Sequence, residues 1–578
     1  MAHTIRTHPS LAEALDAHYR TDDLKKLAAL VCFEIPEKKP ERIKAVVTAL
    51  FKEPKAIFAR LSPLAQLAVS EAVHTWGGRF ERRMFMARYA ASPWAEAKKG
   101  SRQGTGDLLS LFIIGGRIPA DLLQTLRDFV PAPLEDQIRY AETGPGEECQ
   151  VRETAQAALA NAAMILAQVA GKKVRVSAKT GRATAATVKM IGELLSGGDW
   201  YNDDEIGPMQ AFAWPLLLQG GGLARSDGGS LALTPAGLKA LKKDLAGGIK
   251  AAWKKWEKTA LIDEFSRVTA IKGQQSGGGR TMTSPAKRRP MLNMLLEDLQ
   301  PGRWISVDEL ARLILSRDGY SFSMVNYEWK LYLFDPQYGY LDYYDTWPLL
   351  QFRYLLVYLL EYCATLGLLD VAYTKPHRAL DDFRKCWGSD ELEFLSHCDG
   401  LRYIRINDLG AYVLGHTESF LAEKDTTMLY TFDGRDILST GGGEIPPGQI
   451  LFLDRIARRR EIDRWRLSAS SLMSAMGGAE SLAEIRATLA ASSPTGLNPE
   501  IELLFREVEE RSTAFVEVGR TSLIACSPEM RKQVLTDKKI SRLCLPAGDR
   551  YLVCIPGKEK QLADALAALG YSVAVSPE

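Results

Sequence analysis

QILFLDRIARRREIDRWRLSASSLMSAM (449–476) opens the last third of the chain, residues 445–577, and the spacing of its apolar residues decides how that third folds. Leu451, Phe452, Ile456 and Ala457 recur at helical intervals and predict a helix over 449–460. Leu472 and Met476 lie on a second helix behind Ser468, an N-cap residue. Ser481 and Glu484 make a capping box for a third, carrying Leu482, Ile485 and Leu489. Asn498-Pro499 starts a fourth, with Ile501, Leu504, Phe505 and Val508 on one face. An α/β part follows. Short strands are expected at 515–518 and 522–525 around Gly519-Arg520, then a helix after Ser527-Pro528. Strands at 543–545 and 551–555 come next. A helix with Leu562, Leu566 and Leu569 stops at Gly570, and a last strand is expected at 571–575.

Upstream, residues 1–150 read as helical. Two short amphipathic helices flank a Pro36–Pro40 turn; the pair resembles a SAP-type helix pair, which in that family binds DNA, or is a plain helical hairpin. Arg79, Arg82, Arg83 and Arg88 alternate with Phe80, Phe85 and Tyr89, either as a basic aromatic strip or as an amphipathic helix with solvated arginines. Residues 151–271 run helix, turn, strand, tight turn, strand, helix. Leu223-Ala224-Arg225 and Leu231-Ala232-Leu233 flank Asp227-Gly228-Gly229, and Thr234-Pro235 opens a closing helix. This order resembles a winged helix, a module that contacts DNA in some proteins and adapts protein to protein in others. Lys239, Lys242, Lys243, Lys254 and Lys255 follow, interleaved with Trp253 and Trp256.

Residues 272–290 read as a basic Gly/Ser linker that includes Arg288 and Arg289. Residues 291–440 form a second winged-helix-like region, with Ser306 and Glu309 as a capping box and a buried helix at 355–369. An aromatic run interrupts it: Tyr327, Trp329, Tyr332, Phe334, Tyr338, Tyr340, Tyr343, Tyr344 and Trp347. Aromatic faces stack on unpaired bases, but Asp335, Asp342 and Asp345 among them favour core or partner surface. Residues 440–447 are a hinge into the 445–578 domain. The expected fold class is α+β and multidomain: mostly helical, with winged-helix modules and a small C-terminal α/β domain.

At 578 residues the chain holds about three to five domains. Its 46% apolar and 25% charged composition is that of an ordinary globular protein. A net charge of +2 makes any electrostatic footprint local. The 8 cysteines are scattered without a CxxC, which fits a reducing cytoplasm. No secretory leader or membrane span is read from the sequence.

The order of small features from ILFLDRIARRREIDRWRL through NPEIELLF to RLCLPAGDRYLVCIP resembles the N-terminal domain of XPB-type helicases. It is also similar to bacterial helicase-associated proteins that carry this domain without a motor. The resemblance implies DNA, duplex or forked, and a helicase or nuclease as partner. No GxxxxGK[ST], HExxH or GxSxG occurs, so neither ATP hydrolysis nor a familiar hydrolase is expected, and no cofactor. His377, Cys386, His397 and Cys398 have no zinc spacing. The function expected is a non-catalytic DNA-binding or adaptor protein acting in repair or in defence against foreign DNA. The candidate phosphate contacts are Arg458, Arg459, Arg460 and Arg464 first, then Arg225, Lys239, Lys242, Lys243, Lys254, Lys255, Arg288 and Arg289. The alternatives are a protein scaffold using the winged helices and the aromatic segment, and a nuclease with a dispersed site. A one-site transcription regulator is disfavoured by the size.

Overall fold

The computed structural model describes residues 9–94, 107–274, 281–326, 330–335, 338–341, 344–420, 430–439, 447–461, 463–476, 481–513 and 521–574. The fold is α+β, rich in helices with small antiparallel sheets, and it divides into two compact units. One is Met1–Asp425 with Pro446–Gly448; the other is Thr426–Ile445 with Gln449–Glu578. Among the described residues no helix is long and apolar enough to cross a membrane.

The first unit begins with the expected helices. Leu11–His18 starts at a Ser10–Glu13 capping box, and Thr21–Val31 and Lys39–Lys52 form the hairpin around the proline turn. Leu15, Leu24, Val46, Val69, Phe85, Phe112 and Leu126 close one core. The segment after Val130 then runs along the helix Val307–Ser316. Asp136 accepts from Arg312 at 2.7 Å, and Glu309 takes the other side of that guanidinium. The segment ends as the strand Gln150–Arg152, which pairs with Leu369–Tyr373.

The rest of this unit uses one supersecondary order twice. The first copy is the helix Ala155–Ala170, a bridge at Arg175, the helices Ala185–Leu194 and Gln210–Gly220, the hairpin Ala224–Asp227/Ser230–Leu233, and the helix Pro235–Lys242. The second is Pro285–Glu297, the strand Ile305–Ser306, Val307–Ser316, a helical run, the strands Leu369–Tyr373 and Leu401–Ile406, and Asp408–Leu414. In each copy the last strand is central. Ser230 pairs with Asp227 and Arg175, and Ile404 pairs with Val371 and Ile305. The closing helices start alike. Thr234 and Asn407 cap them, accepting from Gly237 and Gly410. A Cβ on either glycine would come within 2.0 Å of a carbonyl oxygen, that of Leu223 or of Leu368, so only glycine lets the helix seat there.

The helical run of the second copy is Pro348–Phe352, Arg353–Val357 and Tyr358–Cys363, π-wound at both ends. It stops at Cys363, earlier than the expected 355–369 helix, because Leu369–Tyr373 is taken by the sheet. It packs on the helix Gln210–Gly220. Trp256 stacks on Tyr362 with ring centroids 5.2 Å apart, and Trp253 lies 5.8 Å from Tyr358. The third helix of each copy is thereby largely covered. Ala213, Trp214 and Leu216 in one, and Tyr354, Leu356 and Leu360 in the other, are 0% exposed.

The expected linker 272–290 needs correction. Residues 275–280 lie outside the described residues, but the helix Pro285–Glu297 begins five positions before the linker's expected end. Arg288 and Arg289 are on it, both 0% exposed. Arg289 donates to Glu264 at 2.6 Å and to the carbonyls of Trp256, Thr259 and Ile262. Arg288 pairs with Asp263 and lies over the Tyr354 ring at 4.5 Å. Neither reaches a phosphate; both hold the connection between the two copies.

The second unit takes in a hairpin that the sequence reading left upstream of it, Tyr430–Asp433/Asp436–Ser439. With Ala457–Glu461 and Arg464–Leu467 it forms a four-stranded antiparallel sheet. Leu453, Ile456, Trp465, Leu472, Ile485, Leu489, Leu504 and Val508 make its core, and the Ser481–Glu484 capping box is present. The strands Leu523–Ala525, Cys544–Ala547 and Tyr551–Cys554 form a second sheet over the helices Pro528–Thr536 and Glu559–Ala568. The expected strand 515–518 and its turn fall outside the described residues, and residues 571–574 pair with no strand.

Breaking the pair that holds the two copies together leaves a charge buried. Arg289→Ala is expected to lower unfolding free energy by about 3–5 kcal/mol, whereas exposed Arg460→Ala stays within about 0.5 kcal/mol of wild type. Denaturant unfolding of both variants checks this.

Candidate nucleic-acid interface

Arg458, Arg459 and Arg460, ranked first in the sequence together with Arg464, stand on a strand, not on the helix expected for them. The helix Pro447–Ile456 ends, and Ala457–Glu461 turns back against Arg464–Leu467. The reason is the period-two pattern of the return strand: Trp465 and Leu467 are buried at 0% and 1%, and Arg464 and Arg466 face outward. Ala457 pairs with Leu467 and fits this pattern, so the sheet captures the residues after Ile456.

Ala457–Glu461 is an edge strand. Arg458 lies directly opposite Arg466, and Arg459 opposite Trp465, its guanidinium 5.1 Å from the indole. The register then slips between Arg459 and Glu461, so Arg460 is the extra residue of a bulge. Bulges re-aim side chains and sharpen local twist. Asp436 stands on the inner strand Asp436–Ser439, and Asp433 on the opposite edge strand, Tyr430–Asp433. Arg464 reaches Asp433 at 3.1 Å and Asp436 at 3.5 Å, and Arg466 reaches Asp436 at 3.7 Å. The charge is therefore graded across the sheet. The acids match the inner arginines, while Arg458 and Arg460 are exposed and form no ion pair among the described residues. Charged side chains on an edge also keep it from pairing with another chain.

The remaining candidates divide. Arg225 is exposed on the hairpin Ala224–Asp227/Ser230–Leu233, opposite Ala232. Lys239 and Lys242 are exposed on Pro235–Lys242, Lys243 at its end, and Lys254 and Lys255 on Leu245–Trp256. Lys250 donates to the Tyr412 carbonyl at 2.6 Å and docks that helix on the closing helix of the second copy. Arg288 and Arg289 are internal, as described above. Arg466 was missed; the alternation around Trp465 was the signal that could have found it. In the N-terminal strip, Arg79 pairs with Glu81 and Arg88 with buried Glu71, Phe80 and Phe85 are core, and Arg82 and Arg83 are exposed.

Among the described residues no group of three or more His, Cys, Asp or Glu could hold a metal ion. Cys386 and Cys398 are buried, and His377 faces Glu205 at 3.5 Å. No protein-family profile matches the chain, and no curated protein is significantly similar to it.

Like charges directly opposite each other weaken a strand pair. Arg458→Glu sets opposite charges across from Arg466 and is expected to stabilise the second unit by about 0.5 kcal/mol. A thermal melt that falls instead would mean that Arg458 is held by a carboxylate.

Proposed function

We propose that this chain is a non-catalytic DNA-binding adaptor of bacterial type that works beside a helicase or a nuclease, in DNA repair or in defence against foreign DNA. The observation that carries the proposal is the bulged edge strand with Arg458 and Arg460 exposed and Arg466 beside them, the outer pair forming no ion pair among the described residues although Glu461 ends the same strand. Guanidinium groups on an edge bind phosphate oxygens in pairs, and such contacts are independent of sequence. The resemblance of residues 445–578 to the N-terminal domain of XPB-type helicases, without the motor, supplies the helicase neighbourhood, and the scattered cysteines without a CxxC support a cytoplasmic location.

We read the two repeated units upstream as winged-helix modules. In that module the third helix enters the major groove when DNA is bound. Here both third helices are buried and the first carries no lysine or arginine, which supports a scaffold role for this pair. Any DNA contact from it falls to the first copy's hairpin, its closing helix and the helix Leu245–Trp256, through Arg225, Lys239, Lys242, Lys243, Lys254 and Lys255. A second reading follows from that burial: the modules recruit a protein partner, and only the second unit touches DNA.

Anisotropy titrations of duplex and forked DNA at two salt concentrations, without nucleotide, test the proposal. Wild type is expected to bind in a salt-sensitive manner. Arg458→Gln/Arg460→Gln/Arg466→Gln should bind every sequence more weakly and reduce the slope of log affinity against log salt by about 3. An unchanged slope would contradict the assignment.

A further inference from the structure

No acidic residue occurs between Glu153 and Glu193, and six cations do: Lys172, Lys173, Arg175, Lys179, Arg182 and Lys189. In a chain whose 73 basic and 71 acidic residues nearly cancel, this is a local excess, and the fold decides where it shows. All six side chains are exposed, and none forms an ion pair among the described residues.

The first copy's sheet gathers part of this excess on one face. Arg175 lies opposite Ser230, with the Val176 N–H donating to the Gly229 carbonyl at 3.0 Å and the Leu231 N–H to that of Val174 at 2.8 Å. That antiparallel register sets Lys173 across from Ala232, which is paired on its other side with Arg225. Side chains alternate between faces along a strand. Val174, Val176 and Leu231 are therefore buried on the inner face, and Lys173, Arg175 and Arg225 share the outer one. The central strand contributes only the small side chains of Ser230 and Ala232 there, so cations stand on both sides of a low floor. Two strand spacings set the Lys173 and Arg225 backbones about 10 Å apart. Past Arg175 the chain turns back: the Ser177 N–H donates to the Arg182 carbonyl at 2.8 Å and the Thr180 N–H to the Ser177 Oγ at 3.3 Å. That turn carries exposed Lys179. The strands of this face hold one acid, Asp227, opposite Ser230, and it is in no ion pair among the described residues.

The composition of the face selects its ligand. Lysine is depleted at protein–protein interfaces, whose centres are large apolar and aromatic anchors. Residues 171–192 and 224–233 hold four lysines and neither an aromatic residue nor an exposed large apolar one. The same lack leaves nothing to insert into a bilayer and no ring to stack on an unpaired base. The face offers lysine, arginine and the exposed hydroxyls of Ser177 and Thr180. Those are groups that contact the phosphate backbone of a duplex.

We propose that Lys173, Arg175 and Arg225, with Lys172 and Lys179 at the ends of their strand, form a binding face for the phosphodiester backbone of duplex DNA. The face rests on the nucleic-acid reading of this chain, but it uses none of the arginines of the edge strand. It also leaves the buried third helix out of the contact, so the first unit holds the duplex by its backbone and independently of sequence.

The test is an anisotropy titration of the full chain with a labelled duplex over a range of salt, with phosphatidylserine vesicles as a second probe. Lys173→Gln/Arg175→Gln/Arg225→Gln is expected to bind the duplex about tenfold or more weakly and to reduce the slope of log affinity against log salt by about 3. All three side chains are exposed, so the variant should melt with wild type. Asp227→Asn, which removes the acid from the face, should bind about twofold more tightly. Glu193→Gln makes the same charge change off the face and should bind as wild type does. A triple variant with wild-type affinity and slope would overturn the face. If Arg458→Gln/Arg460→Gln/Arg466→Gln still weakened binding, the adaptor reading would stand without it; wild type that binds no duplex would overturn both. A triple variant that lost only vesicle binding would overturn the face in favour of a membrane contact.

Discussion

The pairing of Arg289 with Glu264 is the contact on which the first unit depends. Both side chains are 0% exposed, and the guanidinium is saturated by three backbone carbonyls besides the carboxylate. A lone buried charge is expensive, but a fully hydrogen-bonded pair is tolerated and fixes geometry. Here it fixes the path of the chain between two copies of one supersecondary order. Arg267 does the same with Glu361, at 2.6 Å, from the next turn of that connection. Burial pushes the Glu361 carboxyl up to about 7, against the pull of Arg267.

Once that connection is fixed, the rest of the unit follows from packing. The two third helices meet and bury tryptophan and tyrosine rings between the copies. Surfaces that are free in an isolated module become interior. Among the described residues, what remains outside is the first copy's hairpin, the lysine-bearing helices and the aromatic loops. The second unit solves a different problem. In its sheet the acids of the hairpin Tyr430–Asp433/Asp436–Ser439 pair with Arg464 and Arg466, while Arg458 and Arg460 stay exposed at the other edge, so its charge is directional although the chain carries a net charge of only +2.

Much of this was legible in the sequence where it depended on local chemistry. The capping box at Ser481, the cap at Thr234, the hairpin around Gly228-Gly229 and the strands at 523–525, 544–547 and 551–554 all depend on neighbours a few residues away. The misses depend on distant partners. Arg288 and Arg289 read as linker because Glu264 and Asp263 lie far back in the chain. Arg458–Arg460 read as helix because the strand that captures them comes after the turn, and its Trp465 alternation is only four residues long. The second copy reads in the sequence as a second winged-helix-like region, but its match to the first is not legible there, since the copies share positions such as Leu223/Leu368 and Gly237/Gly410 rather than a fixed period. Trp387 joined the aromatic run only through the loop that carries it to Tyr338.

Hydrogen–deuterium exchange of the full chain with and without duplex DNA addresses the central claim, that DNA is held by the arginine hairpin while the third helices of the upstream copies stay buried. The account predicts slower exchange on DNA binding in residues 457–461 and 464–467, and no change in 210–220 and 348–363. Protection gained in 210–220 or 348–363, with none in the hairpin, would contradict it.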